Sequence, residues 1–341
     1  MQAPGYNFLS APLWLITALH LLTLTLHFLA MNFLVGGIIA VLWGRFQNRW
    51  QDQTVQLFLK LFPSAMAATV TLGVAPLLFL QLVYHRQVYS AAIVSAWFWL
   101  MIIVSVIIVY YLLYAASFKS PLGGGKPRIM LTVALAGLLY VSLVYSSIFS
   151  MAEKPALIAQ LYGQSQSGNI WNPELGDWVL RWLHMIFGAV TVGGFFVGLI
   201  GRNNEQAFKV GKSFFVGGMV LASLAGIGYL LSLADYLKVF MHTFGIWTLT
   251  IGVLLALGSL HMFFTKKFTI AGVMVFLSLF SMVTTRHYVR LVKLQGAFEP
   301  STLPIQPQWG PFLMFLICFA VAIGIMVYML RLFFRAQKAS S

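Results

Sequence analysis

Long apolar segments separated by short polar connections run through the whole chain. Nine of them are at least about 20 residues long, the length that an α-helix needs to cross the hydrocarbon core of a bilayer. They cover residues 11–44, 59–84, 91–118, 128–152, 177–200, 209–232, 237–264, 268–291 and 309–334. The pattern predicts an all-α polytopic membrane protein with nine transmembrane helices, folded as a single domain over residues 1–341. We expect no internal repeat.

The composition supports the membrane class and excludes a soluble domain. Of the 341 residues, 60% are hydrophobic and 8% charged, and the mean hydropathy is +0.88. The net charge of +14 does not predict a nucleic-acid partner, because the basic residues lie in short connections and form no continuous patch. The single cysteine, Cys318, excludes internal disulfides and covalent CxxCH haem attachment. We expect no cleavable signal peptide, because the N-terminal MQAPGYNFLSAP lacks a basic leader.

The distribution of lysine and arginine predicts the orientation. Fourteen of the 21 basic residues fall on one set of connections and seven on the other. Because cytoplasmic connections carry the excess of positive charge, the first set is expected to be cytoplasmic. The N-terminus is then outside and the C-terminus inside, in the cytoplasmic membrane of a bacterium or archaeon.

Histidines provide the main candidate chemistry. With this topology, six of the seven fall on the outer side: His20, His27, His85, His184, His242 and His287. Imidazole inside a bilayer is costly and usually functional, and it is the common axial ligand of electron-carrying haem. Six such groups would hold three bis-histidine haems. The alternative is that each histidine is a hydrogen-bond partner between helices.

Four arginines lie beside these histidines or within one helical turn of them: Arg86, Arg181, Arg286 and Arg290. Arginine pairs with carboxylates through two hydrogen bonds, so these side chains are candidates for binding haem propionates. The alternative is that they only reach towards the membrane surface. Met185, Met241 and Met262 also adjoin histidines, but a packing role is expected for them.

Two segments resemble subunit I of the cytochrome bd quinol oxidases, and the resemblance extends over most of the nine predicted helices. These segments are TALHLLTLTLHFLAMNFLVGG and RWLHMIFGAVTVGGFFVG. The resemblance implies that His27 is a haem ligand and that His184 ligates a low-spin haem b. In FMHTFG it places His242 where the family has the methionine partner of that haem, with Met241 as second choice.

The segment TTRHYVRLV resembles the end of the family's eighth helix. It places His287 where the family has the glutamate of a high-spin haem, and Arg290 at the family's arginine. The family's third helix carries glutamates for proton delivery and oxygen chemistry, whereas residues 91–118 contain no acid. The outer loop that binds quinol in the family is reduced to SLADYLK.

We therefore expect a multi-haem b electron-transfer subunit of a respiratory complex, with two to three non-covalent haems. Its expected partners are membrane lipid and a periplasmic c-type cytochrome or other redox subunit of a hetero-oligomeric complex. The longest outer connections, 153–176 and 296–309, are the expected docking surface. Whether a quinone also binds, and how the ligands pair beyond His184 with His242, stays open.

Two alternatives remain. A divergent bd-type terminal oxidase or reductase would keep one haem with an open coordination position. A haem-free transporter would use the histidines as polar contacts, but the absence of inverted repeats and of charges in the middle of the spans argues against it.

Overall fold

A computed structural model describes residues 8–46, 53–119 and 125–339. The helices are α1 (Leu13–Phe46), α2 (Gln53–Val83), α3 (His85–Val94), α4 (Ala96–Lys119), α5 (Gly125–Met151), α6 (Pro155–Gln164), α7 (Leu175–Ile200), α8 (Glu205–Ser232), α9 (Asp235–Met241), α10 (Gly245–Phe264), α11 (Phe268–Leu294) and α12 (Trp309–Ala339). Eight of them, α1, α2, α4, α5, α7, α8, α10 and α11, are long and apolar enough to cross a membrane. The predicted class, a multi-pass helical membrane protein, is confirmed.

The chain divides into two compact units. The smaller comprises residues 1–17 and 300–341, and in its described part Leu9 and Ile305 form an isolated parallel β-bridge. In α12 the apolar stretch over described side chains is Trp309–Cys318, so the ninth span stays a prediction. The larger unit, residues 18–299, contains the other long helices and every histidine. The prediction of a single domain likewise stays a prediction.

The structure starts the helix of one predicted span, residues 91–118, at Ala96, because the helix is interrupted at Ser95. The carbonyl of Val94 accepts a hydrogen bond from the N–H of Ile170, and the Ser95 hydroxyl donates to the Ile170 carbonyl at 2.6 Å. The N–H of Trp97 donates to the carbonyl of Gly168. Because the Val94 carbonyl and the Trp97 N–H form hydrogen bonds with the loop after α6, they are not available for a continuous helix, and α3 and α4 are separate.

A second predicted span, residues 237–264, is also divided. The Thr243 hydroxyl donates to the Phe240 carbonyl at 2.7 Å and accepts from the N–H of Gly245 at 3.1 Å, which ends α9 and starts α10. The expectation that His242 lies inside the start of a transmembrane helix is therefore wrong. His242 occupies the turn between α9 and α10.

The order of long and short helices occurs twice. Two long helices, one short helix and two long helices follow each other in α1–α5 and again in α7–α11. The sequence repeats as well, because residues 27–45 and 184–202 share the pattern H-x7-V-G-G-x4-L-x-G-R. The expectation of no internal repeat is wrong. The repeat is hidden in the apolar pattern because most positions between the shared residues hold apolar side chains of differing size.

The two copies of this pattern meet at their glycines. A Cβ atom on Gly36 of α1 would lie 2.1 Å from the backbone oxygen of Ala189 and 2.7 Å from the Cα of Gly193, both on α7. A Cβ atom on Gly193 would lie 2.5 Å from the Cα of Gly36. No side chain fits between the two backbones, so this crossing requires glycine on both helices.

Aromatic side chains fill the space around the crossing. The ring of Phe62 of α2 packs beside Gly37, whereas Phe215 of α8 approaches Gly194 through its backbone. Each phenylalanine precedes the accepting residue of its helix, Thr69 or Ala222, by seven positions. Both rings are fully buried. Phe215 also packs on Phe263 of α10, with ring centroids 5.1 Å apart. The apolar core thus joins helices of both copies.

We expect Gly36→Ala to destabilise the protein by about 1–3 kcal/mol or more, because a methyl group would enter the backbone of α7. The thermal midpoint of aggregation in detergent measures this. Gly188→Ala in α7 is the matched control, since a Cβ atom there meets nothing within 4 Å. Equal midpoints for the two variants would contradict the crossing.

Candidate functional site

Three of the six predicted ligand histidines bind a backbone carbonyl on a neighbouring helix. The Nδ1 atom of His27 lies 2.9 Å from the carbonyl oxygen of Thr69. For His184 the distance from Nδ1 to the oxygen of Ala222 is 2.7 Å, and for His20 the distance to the oxygen of Pro76 is 3.0 Å. In each case a ring on one long helix of a hairpin reaches the backbone of the other.

These contacts decide which ring nitrogen carries the proton. A carbonyl oxygen can only accept a hydrogen bond, so Nδ1 must donate. In the neutral imidazole the lone pair is then on Nε2, where it is available to a metal. A hydrogen bond from the other ring N–H to a carbonyl is the usual support of a metal-ligating histidine.

Glycines make room for two of the rings. A Cβ atom on Gly73 would lie 2.9 Å from Nδ1 of His27, and one on Gly226 would lie 2.8 Å from Nδ1 of His184. Each glycine follows the accepting residue by one helical turn, at Thr69 plus four and Ala222 plus four. The missing side chain lets the imidazole reach the carbonyl.

His287 lies near His20 and Arg290 in a group of buried polar side chains with unused hydrogen-bonding atoms. Arg290 and His287 both act electrostatically on His20. The Arg290 guanidinium stands 5.4 Å from the ring centre of Tyr84. Nδ1 of His287, Nη1 of Arg290 and the Tyr84 hydroxyl are all buried without a hydrogen-bond partner within the described residues. Buried atoms of this kind normally have a partner, so the group has unused capacity for one.

Three other predicted residues, His85, Arg86 and His242, make no described side-chain contact with this group. His85 is the half-buried first residue of α3, and Arg86 beside it is exposed. Partial burial and the nearby Arg86 charge lower the pKa of His85, which keeps its ring neutral at pH 7. His242 is exposed, and no described contact brings its side chain to His184. The pairing of His184 with His242 therefore stays a prediction.

Three of the predicted propionate-binding arginines surround a carboxylate of the protein itself. Glu153 follows α5 directly and is 1% exposed. Arg286 donates to Glu153, and Arg181 and Arg290 approach the same carboxylate at 3.9 and 3.7 Å. Arg286 also donates to the Tyr229 hydroxyl at 3.0 Å. We call the end of the helices at which this cluster lies the Glu153 end.

Lys293 connects this cluster to a second carboxylate. Its Nζ lies 3.7 Å from Glu153 and 2.5 Å from Asp177. Asp177 also accepts a hydrogen bond from Ser150 at 2.6 Å. Lys154 stands 3.3 Å from Asp177 and pairs with Glu174, which is nearer the surface. The chain of ion pairs therefore runs from a buried carboxylate towards the exposed end of α7.

The charges in this network do not balance. The ion pairs connect five cations (Lys154, Arg181, Arg286, Arg290 and Lys293) with three carboxylates (Glu153, Glu174 and Asp177), an excess of two positive charges. A cavity of about 380 Å³ adjoins the network and is lined by Lys154, Asp177, Ser232, Leu233, Ala234, Asp235, Tyr236 and Lys293. Counting Asp235 still leaves one uncompensated positive charge. Buried charge without a counter-charge is costly, so the network favours an anionic partner.

The cluster also fixes the protonation of Glu153. Burial alone would raise the pKa of this carboxyl, but the charges of Arg286, Lys293, Arg181 and Arg290 outweigh burial and lower the pKa to about 2. Burial raises the pKa of Tyr84, which therefore keeps its hydroxyl proton as a donor. Near neutral pH Glu153 is therefore an anion surrounded by cations. The Tyr84 hydroxyl and Nη1 of Arg290 remain as buried donors without a described partner.

Sequence reasoning missed Glu153, Asp177 and Tyr84 as members of the site, and it missed the two glycines beside the rings. One signal was present for Glu153, since it is one of only seven acids and directly follows a predicted span. Nothing in the sequence identified Thr69 or Ala222 as partners, because any residue has a carbonyl.

Comparison of the chain with protein-family models, with curated proteins and with solved structures gives no match. Among the described residues there is also no group of three or more His, Cys, Asp or Glu side chains arranged to hold a metal ion. A haem iron takes at most two ligands from the protein, so this second finding concerns metal-ion cages and leaves haem untested.

We expect Glu153→Gln to lower the free energy of unfolding by about 3–5 kcal/mol, because it leaves the surrounding cations without their counter-charge. Thermal unfolding in detergent measures the loss. The control is Glu205→Gln, which removes an exposed i,i+4 ion pair with Lys209 and should change nothing measurable.

The pH dependence provides an independent readout. Since the folded pKa of Glu153 is about 2, against about 4.3 in an unfolded chain, its stabilisation is complete above about pH 4.3 and is lost as the pH falls towards 2. The wild type should lose this contribution on acidification, whereas Glu153→Gln should lack it. Parallel acid profiles for both proteins would show that Glu153 is not held by the cations.

Proposed function

We propose that this chain is a multi-haem b electron-transfer subunit of a membrane respiratory complex, similar to subunit I of the cytochrome bd oxidases. The observation that carries the proposal is the set of hydrogen bonds from Nδ1 of His20, His27 and His184 to backbone carbonyls. Two of these histidines are those for which the resemblance implies haem ligation. A role as polar contacts between helices would be satisfied by either ring nitrogen, whereas ligation requires that one is kept free.

The charges at the Glu153 end support the same proposal. Each haem b has two propionates, and the described network has an excess of positive charge: two from its ion pairs, or one when Asp235 of the adjoining cavity is counted. Arg290 keeps one buried nitrogen without a partner, and the Tyr84 hydroxyl beside it is also free to donate. Carboxylates would satisfy both donors. Arg181 and Arg286 already contact Glu153, so they would contribute mainly through their charge.

Haem b bound at these histidines supplies a reversible one-electron iron couple. The chain's own residues would define its surroundings. His20, His27 and His184 present Nε2 as ligand, and the carbonyls of Pro76, Thr69 and Ala222 hold the rings in one orientation. The apolar helices keep water from the rings, and the cations at the Glu153 end stabilise negative charge. His287, buried near His20, is the natural second donor of that region.

The orientation and the partners belong to the same proposal. We infer nine spans in a bacterial or archaeal cytoplasmic membrane, with the N-terminus and the Glu153 end outside and the C-terminus in the cytoplasm. A c-type cytochrome or another redox subunit would then dock on the periplasmic side. There α6, which begins directly after Lys154 of the ion-pair network, offers the exposed Tyr162. A quinone is a further candidate cofactor.

We expect purified protein to show the reduced-minus-oxidised spectrum of low-spin haem b, and His184→Leu to remove one haem per chain. The pyridine haemochrome assay measures the haem content. His261→Leu is the matched control. His261 is exposed and lies in the last turn of α10, away from the proposed ligands, so this variant should keep the wild-type haem content. Wild-type protein without haem would overturn the proposal.

Carbon monoxide separates electron transfer from oxygen chemistry. A chain that only conducts electrons should give no spectral shift when the reduced protein is exposed to carbon monoxide, because protein side chains would leave the iron no open position. A carbon-monoxide-reactive, high-spin component would instead support the divergent oxidase.

The orientation is tested by thiol labelling in a Cys318→Ser background. An impermeant maleimide should label Tyr162→Cys in intact cells, and it should label Lys209→Cys only after the membrane is opened. Both positions are exposed in the structure. The reverse result would invert the proposed topology.

A further inference from the structure

We propose that Gly73 and Gly226 are positioning residues of the two repeated ligand sites. Each would act with the carbonyl one turn before it to fix the ligand histidine in the Nδ1–H form. We call each pair of glycine and carbonyl a histidine cradle: Thr69 with Gly73 for His27, and Ala222 with Gly226 for His184. This inference rests on the proposed function, because the cradle leaves Nε2 for the metal.

The cradle at His184 is a contact between two antiparallel helices. The ring crosses from α7 to α8, where its Nδ1 lies 2.7 Å from the Ala222 oxygen. A Cβ atom on Gly226 would lie 2.8 Å from Nδ1 and 3.1 Å from Cε1 of the same ring. A helical carbonyl points towards the residue four positions later, so a side chain at that residue would cover it. Glycine leaves the carbonyl open to the ring.

The same arrangement occurs in the other copy. His27 crosses from α1 to α2, with Nδ1 2.9 Å from the Thr69 oxygen, and a Cβ atom on Gly73 would lie 2.9 Å from both Nδ1 and Cε1. The two copies share the spacing from histidine to the paired glycines and the spacing from carbonyl to cradle glycine. A chance packing contact would not be expected twice at equivalent positions of a repeat.

Sequence spacing within each copy connects the cradle to the helix crossing. His27 precedes Gly36 by nine residues, and His184 precedes Gly193 by nine. Nine residues correspond to about 13.5 Å along a helix. Because the two helices are in backbone contact at these glycines, the crossing fixes where each ring sits along its own helix. The cradle then fixes how the ring is rotated.

Alanine at a cradle glycine should displace the ring and not the backbone. The atoms that the new methyl group meets belong to the end of a histidine side chain, which can rotate away. This differs from Gly36, where the methyl group would meet the backbone of α7. Gly226→Ala and Gly73→Ala should therefore fold, but their rings should lose the hydrogen bond to the carbonyl.

The first test needs no substitution in a cradle. In ¹⁵N-histidine-labelled wild-type protein freed of haem, nitrogen NMR shows which ring nitrogen carries the proton. The signals of His27 and His184 are assigned by their loss in His27→Leu and His184→Leu. We expect both histidines as the Nδ1–H form. Nε2–H signals for both residues would overturn the inference, whatever the haem content.

The second test measures haem. We expect Gly226→Ala to weaken binding of the haem at His184 by about 10- to 100-fold, the usual effect of losing a support of a metal ligand. Haem transfer to excess apomyoglobin measures this, and the electron paramagnetic resonance signal of the same haem should shift. Gly73→Ala should affect the haem at His27 in the same way and leave the haem at His184 unchanged.

Gly217→Ala in α8 is the matched control, because a Cβ atom there meets nothing within 4 Å. Haem in the wild type with unchanged affinity and spectra in both cradle variants would overturn the cradles and leave the proposed function standing. If wild-type protein contained no haem but its histidines had the Nδ1–H form, which Gly226→Ala removed at His184, the cradle would stand as a device that fixes the tautomer and the haem function would fall.

Discussion

Backbone contact between α1 and α7 at Gly36 and Gly193 determines where the rest of the site can lie. A side chain on either glycine would occupy the other helix, so the two helices approach as closely as backbones allow. This contact joins the two copies of the repeat and sets His27 and His184 at equal spacing from it. Interior helix contacts in a bilayer depend on such close packing, because burial of apolar surface gives no advantage over lipid. Small residues at one crossing thereby set the positions of two candidate ligand side chains.

Polar groups inside a membrane impose the second constraint, since each needs a partner that water cannot supply. The histidines use carbonyls of the adjacent helix, and the arginines use Glu153. Both solutions are incomplete in a similar way. The described hydrogen bonds of His20, His27 and His184 to the adjacent helix use Nδ1. The Glu153 end has an excess of positive charge, with buried donors unused on Arg290 and Tyr84. A ligand that offers both a metal and carboxylates would complete the two together, which supports the proposal of haem over that of a bare metal ion or a simple anion.

The fold class and most of the spans follow from the sequence because about 20 apolar residues have few alternatives to a transmembrane helix. The candidate ligands follow from residue type and depth. The features that could not be predicted are those that depend on contacts between distant segments or on the hydrogen bonding of a single side chain. The break at Ser95 depends on a loop more than 70 residues away, and the position of His242 in a turn depends on the Thr243 hydroxyl. Glu153 looked like one more acid of an outer connection, and only the packing of α5, α7 and α11 shows that it is buried among cations. The cradles depend on backbone carbonyls, which every residue has, so the sequence cannot identify the accepting residue.

The repeat also shows how one scaffold can hold two unequal sites. Counted back from the ends of α5 and α11, Leu143, Ser147 and Ser150 in the first copy correspond to Arg286, Arg290 and Lys293 in the second. The described cations that surround Glu153, Arg181 on α7 and Arg286, Arg290 and Lys293 on α11, therefore all come from the second copy. Positive charge near a redox centre favours its reduced form, because reduction adds negative charge. The two copies thus differ in charge at equivalent positions, although each holds its histidine in the same kind of cradle. A chain that passes electrons in one direction needs such a difference, and a repeat with identical copies would not provide it.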